Sequence, residues 1–461
     1  MIVVVGAGPA GLAAAWRAAQ AGHEVTVVDR APAVGGMAGS FEVAGLRVDH
    51  GSHRLHPSTP PPILAALRDL LGDELQVRPR RGRIRLHDRW VAFPLRPGDL
   101  LRHAPPRFAA RAAVDAVAGP LRRPRDDSFA EVVRAGLGPT VLDAFYGPYA
   151  HKLWGTDAAR LDGELARRRV SATKPWDVAR RLVRRDRSAG RTFLYPRRGF
   201  GAIAEALADA AVDAGATLVL GKQVSTMSTP ACQEAPWTVT LDDRTTIDAA
   251  HVWSTAPLPA LALQIKPEPP AEVRAATADL RHRAMVLLYL VLEGRQWTPF
   301  DAHYFPGRDV IASRLSEPRN YRENPDDPDD VTVLCAEIPC WQSDAIWSSS
   351  PGDLAARLAD QLTRLGLPPI EPIAVEVRRL ARVYPVYRDG FTENLATVEQ
   401  WARSLPGLVT FGRQGLFTPD NTHHALAMGW AAADALHTDG SFHEPTWLAA
   451  RDGFRSFVVE D

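Results

Sequence analysis

Cysteine is scarce in this sequence, with three residues among 461, at positions 232, 335 and 340. Their spacing matches no metal site, and so few cysteines favour a reduced, cytoplasmic setting over a disulfide framework. Long apolar runs are also lacking: Met285–Leu292 spans eight residues, far short of the roughly 20 needed to cross a bilayer. Basic and acidic residues balance at 54 each, so net charge gives no reason to expect a nucleic-acid partner.

The length allows two or three domains with substantial cores, and 46% hydrophobic residues is typical of a globular protein. A glycine-rich turn begins at residue 6, so we expect no cleaved leader ahead of it. No combination of histidine, cysteine and acidic residues in the sequence has the spacing of a metal site. The composition therefore indicates a soluble, metal-free protein of several domains.

The first 30 residues have the order strand, glycine-rich turn, helix, strand. Ile2–Val5 is a β-branched run typical of a buried parallel strand, Ala10–Ala19 is a helix of small residues, and Glu24–Val28 is a second strand. This order predicts an α/β fold built on a parallel sheet.

Three glycines between the first strand and the helix have the G-x-G-x-x-G spacing of a dinucleotide site. Gly6 allows the tight turn, Gly8 lets the backbone approach a pyrophosphate, and Gly11 lets helix and strand pack closely. The N–H groups and positive end of the helix then face the phosphates. Asp29 ends the second strand, where an acid accepts hydrogen bonds from the adenosine ribose.

The residues after Asp29 distinguish a flavin from a nicotinamide cofactor. Gly35 and Gly36 stand directly behind the second strand, and Val48–His56 reads VDHGSHRLH. This segment resembles the acid, x, Gly-Gly-His element of the FAD-dependent amine oxidase superfamily. That group includes protoporphyrinogen oxidases and phytoene desaturases, with UDP-galactopyranose mutases as relatives.

Three further segments carry the same resemblance. Residues 144–155 (AFYGPYAHKLWG) are similar to an element of bacterial protoporphyrinogen-oxidase-like flavoproteins. Residues 193–201 resemble the point where such chains return to the FAD domain, and 384–429 the C-terminal FAD motif. The resemblance implies a Rossmann-like FAD-binding domain of the GR2 type with an inserted α+β substrate domain.

The same resemblance implies the domain boundaries. The FAD-binding domain comprises 1–56, 193–258 and 384–440, the substrate domain comprises 57–192 and 259–383, and 441–461 is a C-terminal tail. Within them, the patterns predict a hairpin over Val77–Val91 and one strand over Thr246–Trp253. They also predict helices over about Leu100–Ala118 and about Leu426–Leu436.

On the matching positions, the resemblance implies FAD as the cofactor. The expected contacts come from Gly6, Gly8, Pro9, Ala10, Gly11, Asp29, Arg30, Gly35, Gly36, Met37, Ala38, Gly51, Ser52, His53, Val224, Ala256, Gly412, Arg413, Phe417, Asn421, His424 and Ala425. The family often has an acid before one histidine of the last motif, whereas Thr422 and His423 precede His424 here, which leaves an acid–base role for the pair open.

Three residues are the candidate catalytic groups: His53 beside the isoalloxazine ring, Arg54 as a clamp for an anionic substrate, and Lys152 as a charge or proton donor. Each residue also has a purely structural alternative. His53 would pack in a turn, Arg54 would lie on the surface, and Lys152 would lie on a packed helix face. Substrate contacts are expected from Arg54, Tyr146, Tyr149, Tyr195, Arg198, Arg314, Tyr384 and Tyr387, although a tyrosine beside proline is also a common rigid corner.

Three functions are open at this point. The first is an FAD-dependent oxidoreductase that dehydrogenates or desaturates a small molecule of natural-product or sugar metabolism, with hydride passing to flavin N5. The second is a non-redox isomerase of the UDP-galactopyranose mutase type, whose nucleotide-sugar clamps would be Arg54, Arg83, Arg198 and Arg314. The mutase motif has aromatic and histidine residues where Arg54-Leu55 follow His53, which counts against this reading.

The third is a flavin-binding assembly protein without turnover. In the first two cases the partner is a small-molecule substrate. We expect no nucleic acid, no transmembrane segment and a monomer or homodimer, and weak peripheral membrane contact stays open.

Overall fold

The computed structural model describes residues 1–94, 99, 102–170, 192–232 and 235–459. Its helices are α1 Pro9–Gln20, α2 Pro61–Leu71, α3 Pro106–Ala118, α4 Phe129–Leu137, α5 Pro139–Val141, α6 Gly147–Trp154, α7 Gly163–Arg169, α8 Ala202–Asp213, α9 Leu258–Gln264, α10 Ala271–Asp279, α11 Ala345–Ser348, α12 Pro351–Arg364, α13 Phe391–Ser404, α14 Gly412–Gly415, α15 Thr422–Asp434 and α16 Glu444–Phe454. A π-helical turn, Leu142–Tyr146, joins α5 to α6.

The strands belong to three main sheets and two short ribbons. They are β1 Ile2–Val5, β2 Val25–Asp29, β3 Ser40–Val43, β4 Leu46–Asp49, β5 Leu75–Pro79, β6 Gly82–Leu86, β7 Arg89–Phe93, β8 Thr192–Pro196, β9 Thr217–Leu220, β10 Val224–Ser228, β11 Trp237–Leu241, β12 Thr246–Ala249, β13 His251–Ser254, β14 Ile265–Lys266, β15 His282–Glu293, β16 Ala302–Tyr304, β17 Arg314–Ser316, β18 Val331–Cys340, β19 Ala374–Pro385 and β20 Leu408–Thr410.

A five-stranded parallel sheet with the order β20-β13-β1-β2-β9 confirms the predicted α/β fold. All four residues of β1 are buried, as a central parallel strand requires. The helices α1, α8 and α15 pack with each other and with one side of this sheet in the largest apolar cluster. The sheet brings together three distant parts of the chain.

A seven-stranded sheet, β19-β15-β18-β17-β16-β6-β7, forms the second large unit. Its longest buried strand, β15, is second from one edge and is buried over ten consecutive residues, because α12 covers one face and the ribbon β3–β4 covers the other. The hairpin β6–β7 joins this sheet through a parallel pairing of β6 with β16. A four-stranded sheet, β12-β11-β10-β14, lies beside the five-stranded one. The domain boundaries themselves stay a prediction.

Several predicted elements are corrected. The hairpin expected over 77–91 is Gly82–Phe93, because residues 77–79 instead belong to β5, which pairs with β8. The strand expected over 246–253 is divided at Ala250 between two sheets, since β12 pairs with β11 and β13 pairs with β1.

Helix boundaries differ as well. The predicted helix over 100–118 is observed as α3, and residues 100 and 101 lie outside the described residues. The last motif helix, α15, begins four residues before the predicted start, so His423 and His424 lie in its first turn. The expected tail, 441–461, contains α16, which packs on α15 through Trp447. No helix in the described ranges is both long and apolar enough to cross a bilayer.

Candidate active site

The glycine-rich turn after β1 has the strained, close-packed geometry that its sequence predicts. Gly6 has a φ of +109°, and a Cβ on Gly11 would lie 2.0 Å from the Gly6 carbonyl oxygen. The carboxylate of Asp29 accepts hydrogen bonds from the backbone N–H of Ala7 at 2.7 Å and of Ala31 at 2.8 Å. Asp29 therefore holds the turn in place as well as standing at the end of β2.

A slot without side chains opens at the N-terminus of α1. A Cβ on Gly36 would lie 3.5 Å from the Cα of Gly8, and a Cβ on Gly8 would lie 4.0 Å from the carbonyl oxygen of Gly35. No side chain caps α1 at Gly8, so its first N–H groups face the slot. The slot has the shape and the donors that a pyrophosphate requires.

The helix α15 lies parallel to α1 and in close contact with it. A Cβ on Gly429 would lie 2.2 Å from the Ala10 carbonyl oxygen, and Arg17 forms an ion pair with Asp434 at 3.3 Å. Because the contacts run in the same direction along both helices, their N-termini point the same way. Two positive helix ends thus face in the same direction.

Asp420, directly before the N-cap of α15, is a residue that the sequence reasoning missed. The side chain is 1% exposed, and neither carboxylate oxygen has a hydrogen-bond partner among the described residues. Burial raises its pKa to about 6, against the opposing effect of Arg168 and Arg413. Its oxygen lies 3.6 Å from His424 Nδ1. The signal available in the sequence was an acid immediately before the last glycine-motif helix.

The acid of the VDHGSH segment, Asp49, is the centre of a buried hydrogen-bond network. Its carboxylate accepts bonds from the Tyr195 hydroxyl at 2.5 Å, the Ser40 hydroxyl at 2.6 Å and the Phe200 N–H at 2.9 Å. Tyr289 on β15 donates to its carbonyl oxygen at 2.6 Å. The predicted substrate residue Tyr195 is therefore fully buried and bonded to Asp49.

The next residues connect this segment to the seven-stranded sheet. The Ser52 N–H donates to Glu337 at 2.7 Å, and Arg314 binds the same carboxylate through Nε and Nη2 at 2.7 to 3.0 Å. His53 stacks on Phe200, with ring centroids 5.3 Å apart. Burial lowers the pKa of His53, so the imidazole is neutral at neutral pH.

Arg54, predicted as a substrate clamp, is enclosed by polar and aromatic partners. Its guanidinium binds Asp301 at 3.1 Å and the hydroxyls of Tyr304 and Tyr321 at 3.3 and 3.2 Å. It also lies over the Phe193 ring at 5.2 Å. Arg54 therefore links the FAD-motif segment to the neighbouring sheet, and its role toward substrate stays a prediction.

Lys152 is buried between α6 and the loop after β16. Its Nζ donates to the carbonyl oxygens of Phe305 at 2.5 Å and Ala312 at 3.0 Å. Burial lowers the pKa of Lys152 to about 7, although Asp309 acts in the opposite direction. The amine is thus poised to titrate near neutral pH, and it anchors a helix to a loop.

Tyr384, at the end of β19, is surrounded by guanidinium groups. Arg413 and Arg169 lie over its ring at 5.1 and 5.7 Å, and Arg169 also lies over Trp154 at 5.6 Å. The Tyr384 hydroxyl makes no hydrogen bond within the described part of the chain. Burial raises the pKa of this phenol, so it is a protonated donor at neutral pH. We define Tyr384, Arg169 and Arg413 as the Tyr384 cage.

The glycine motif before α15 contributes Arg413 to this cage, and it also contains Phe417. Its ring packs near Tyr387 at 6.0 Å and against His282 at 4.8 Å, and the Tyr387 hydroxyl donates to its carbonyl oxygen at 2.8 Å. Gln414 in the same motif contacts Met37 Sδ at 3.5 Å. The motif thus lies between the glycine slot and the seven-stranded sheet.

The other predicted residues occupy three settings. Arg198 is an exposed side chain that pairs with Glu74, whereas Tyr146 and Tyr149 pack beside the apolar cluster of the helices α4 to α7. Val224 is buried in β10, and Ala38 follows Met37 in the turn after Gly36. The predicted FAD contacts Pro9, Ala10, Arg30, Gly51, Ala256, Gly412, Asn421 and Ala425 stay predictions, and Asn421 caps α15 together with His424.

Comparisons with known proteins agree with this geometry. The profile of the family described as flavin-containing amine oxidoreductase matches residues 9–437. Phytoene dehydrogenase from Streptomyces griseus is 44% identical over 77 residues, which is 16% of this chain and 15% of that protein's length.

Two solved structures show the fold. Reduced UDP-galactopyranose mutase superposes with a TM-score of 0.82 at 21% identity, covering 99% of both chains. A proposed protoporphyrinogen oxidase from an Exiguobacterium species superposes with a TM-score of 0.72 at 17% identity, covering 94% of this chain and 97% of the other.

The glycine slot, the uncapped N-terminus of α1 and the acid at the end of β2 fit an FAD pyrophosphate and adenosine. Within the described residues, no group of three histidine, cysteine or acidic side chains suits a metal ion. The chain belongs to the flavin-containing amine oxidoreductase family, and its cofactor is FAD.

Proposed function

We propose that this protein is an FAD-dependent oxidoreductase that dehydrogenates a small-molecule substrate beside the Tyr384 cage. The observation that carries the proposal is the family match over residues 9–437. When bound, FAD supplies the acceptor for a hydride removed from substrate carbon.

The contacts of the four arginines expected to clamp a nucleotide sugar favour an oxidoreductase over an isomerase. Each of the four is already engaged by a carboxylate or by aromatic rings: Arg54 with Asp301, Arg314 with Glu337, Arg198 with Glu74, and Arg83 with Trp90 and Phe300. A diphosphate binding to the buried pairs would have to leave a carboxylate unpaired, which is costly in a buried site.

In this proposal the Tyr384 cage orients the substrate. The phenol of Tyr384 donates a hydrogen bond to a substrate oxygen or nitrogen, because its raised pKa keeps it protonated. Arg169 and Arg413 give the pocket wall positive potential and an apolar face on the tyrosine ring. His53, neutral and packed on Phe200, helps to exclude water from the flavin edge.

The test is an anaerobic single-turnover experiment on the yellow holoenzyme. Candidate substrates with a C–H bond next to nitrogen or oxygen, or one activated for desaturation, are mixed with the protein while the visible flavin band is followed. Bleaching without added reductant is the expected result. In the Tyr384→Phe variant the bleaching rate should fall about 10- to 150-fold with FAD retained, the equivalent of a lost contact worth about 1.5–3 kcal/mol.

A second candidate function is a non-redox isomerase acting on a nucleotide sugar. Arg169 has no carboxylate partner in the described ranges, and the reduced mutase shares the fold. In this case oxidised enzyme would be inactive, whereas dithionite-reduced enzyme would turn over with its flavin remaining reduced and no net electron transfer. That pattern would overturn the redox proposal.

A further inference from the structure

We propose that a second pocket, on the far side of β15 from Phe417, binds the phosphate group of a small ligand other than FAD. The pocket has a volume of about 320 Å³ and lies between the turn after α6, the start of β15, the turn after β18 and the segment before α13. This volume is at the lower end of small-molecule sites and suits a phosphate or a sugar phosphate.

Positive charge dominates the lining of this pocket. It presents the guanidinium groups of Arg160, Arg281 and Arg388 together with the hydroxyl-bearing Thr156 and Ser343, and no acidic residue lines it. Among the described residues, none of these three arginines forms an ion pair with a carboxylate. By contrast, Arg54, Arg198 and Arg314 each form an ion pair with a carboxylate.

A fourth arginine, Arg283, is buried beside the pocket, next to the lining residue Gly155. Arg283 has a side chain only 8% exposed, and its Nε and Nη1 are buried with no hydrogen-bond partner in the part of the chain that the structure describes. A Cβ on the lining residue Gly155 would lie 2.6 Å from its Cζ. Its Nη1 forms an ion pair with Asp344 at 3.5 Å, so Nε is the buried donor that has no partner among the described residues beside the glycine wall of the pocket.

The aromatic wall brings two of these charges together. Arg281 and Arg283 lie over the Trp341 ring at 4.8 and 4.6 Å. Like charges held near one another repel, and an anion between them removes that repulsion. Guanidinium forks match phosphate oxygens bidentately, so a phosphate is the ligand that satisfies this arrangement best.

Strand geometry separates this pocket from the FAD site. His282, between the two arginines, contacts Phe417 of the FAD motif at 4.8 Å. Successive side chains of a strand point to opposite faces, so Arg283 faces away from His282, and Arg281 lies with it over Trp341. The ligand is thus expected to bind together with FAD rather than in its place.

The experiment is calorimetric titration of FAD-saturated protein with inorganic pyrophosphate, with glucose 1-phosphate and with sulfate. We expect saturable binding of the phosphate compounds, with unchanged flavin content. The double variant Arg281→Gln/Arg388→Gln should weaken binding at least about tenfold. Arg160→Gln should do the same, and it leaves the fold intact because the Arg160 side chain is exposed.

The matched control is Arg357→Gln, an exposed arginine on α12 outside the pocket, which should bind as the wild type does. Three results would overturn the proposal: release of FAD by pyrophosphate, equal weakening in the Arg357 variant, or full affinity in both the Arg160 variant and the double variant. Tighter binding of the sugar phosphate than of pyrophosphate would identify a phosphorylated metabolite as the ligand, and the reverse order a diphosphate.

Discussion

The hydroxyl of Tyr195 donates a 2.5 Å hydrogen bond to Oδ2 of Asp49, a residue 146 positions earlier in the chain. The same carboxylate accepts bonds from Ser40 and from the Phe200 N–H. One buried acid thus fastens the ribbon β3–β4 to the strand β8 and the turn that follows it. Since this acid belongs to the VDHGSH segment, a motif predicted for the cofactor also has a structural role.

Replacing Tyr195 by Phe should lower the free energy of unfolding by about 1–3 kcal/mol, because a buried carboxylate loses one of its donors. Urea denaturation of the holoprotein measures this. Tyr384→Phe is the matched control, since that hydroxyl makes no hydrogen bond in the described ranges, and its stability should stay at the wild-type value. Equal losses in both variants would mean that ring packing, not the Asp49 bond, determines the effect.

Arg54→Met should destabilise the protein by about 3–5 kcal/mol, because it leaves Asp301, which is 1% exposed, without its charged partner. Arg198→Met removes an arginine that is 58% exposed and should cost about 0–1 kcal/mol. Thermal unfolding of the two variants side by side gives the comparison. A stable Arg54 variant with impaired turnover would instead indicate that Arg54 binds substrate.

Asp29→Ala should weaken FAD binding by about 1.5–3 kcal/mol, or about 10- to 150-fold, because the charged acceptor for the ribose is lost. The change also removes the acceptor of the Ala7 and Ala31 N–H groups, which loosens the glycine turn. Titration of apoprotein with FAD is the measurement. Asp29→Glu retains a carboxylate and should recover much of the affinity; unchanged binding in the Ala variant would contradict the assignment.

The contribution of Lys152 to stability should rise with pH between about 7 and about 10.5. Its pKa is about 7 in the folded chain and near 10.5 when unfolded, so the unfolded state binds more protons in this window. Stability from this group is lost as the pH falls toward 7. In Lys152→Met this contribution is absent. Denaturation curves should therefore show the free energy of unfolding of the wild type rising with pH relative to that of the variant. Parallel pH profiles would show that the amine titrates normally.

Local sequence determined the first nucleotide-binding unit. The β1–α1–β2 order, the need for glycine at positions 6 and 11, and the acid at the end of β2 are all observed as predicted, because these features depend on residues within one turn or one strand of each other. The apolar run Met285–Leu292 likewise lies within the buried strand β15.

Tertiary structure decided what the candidate site residues contact. Arg54 meets Asp301 across 247 residues, and Lys152 meets carbonyl oxygens 153 and 160 residues away. Arg314 meets Glu337 on the neighbouring strand β18. Whether an arginine is free to bind substrate depends on such distant partners, and no spacing in the sequence encodes them. Motif spacing can therefore predict the cofactor from local geometry, whereas only tertiary contacts to the seven-stranded sheet and its loops determine which charges are already neutralised.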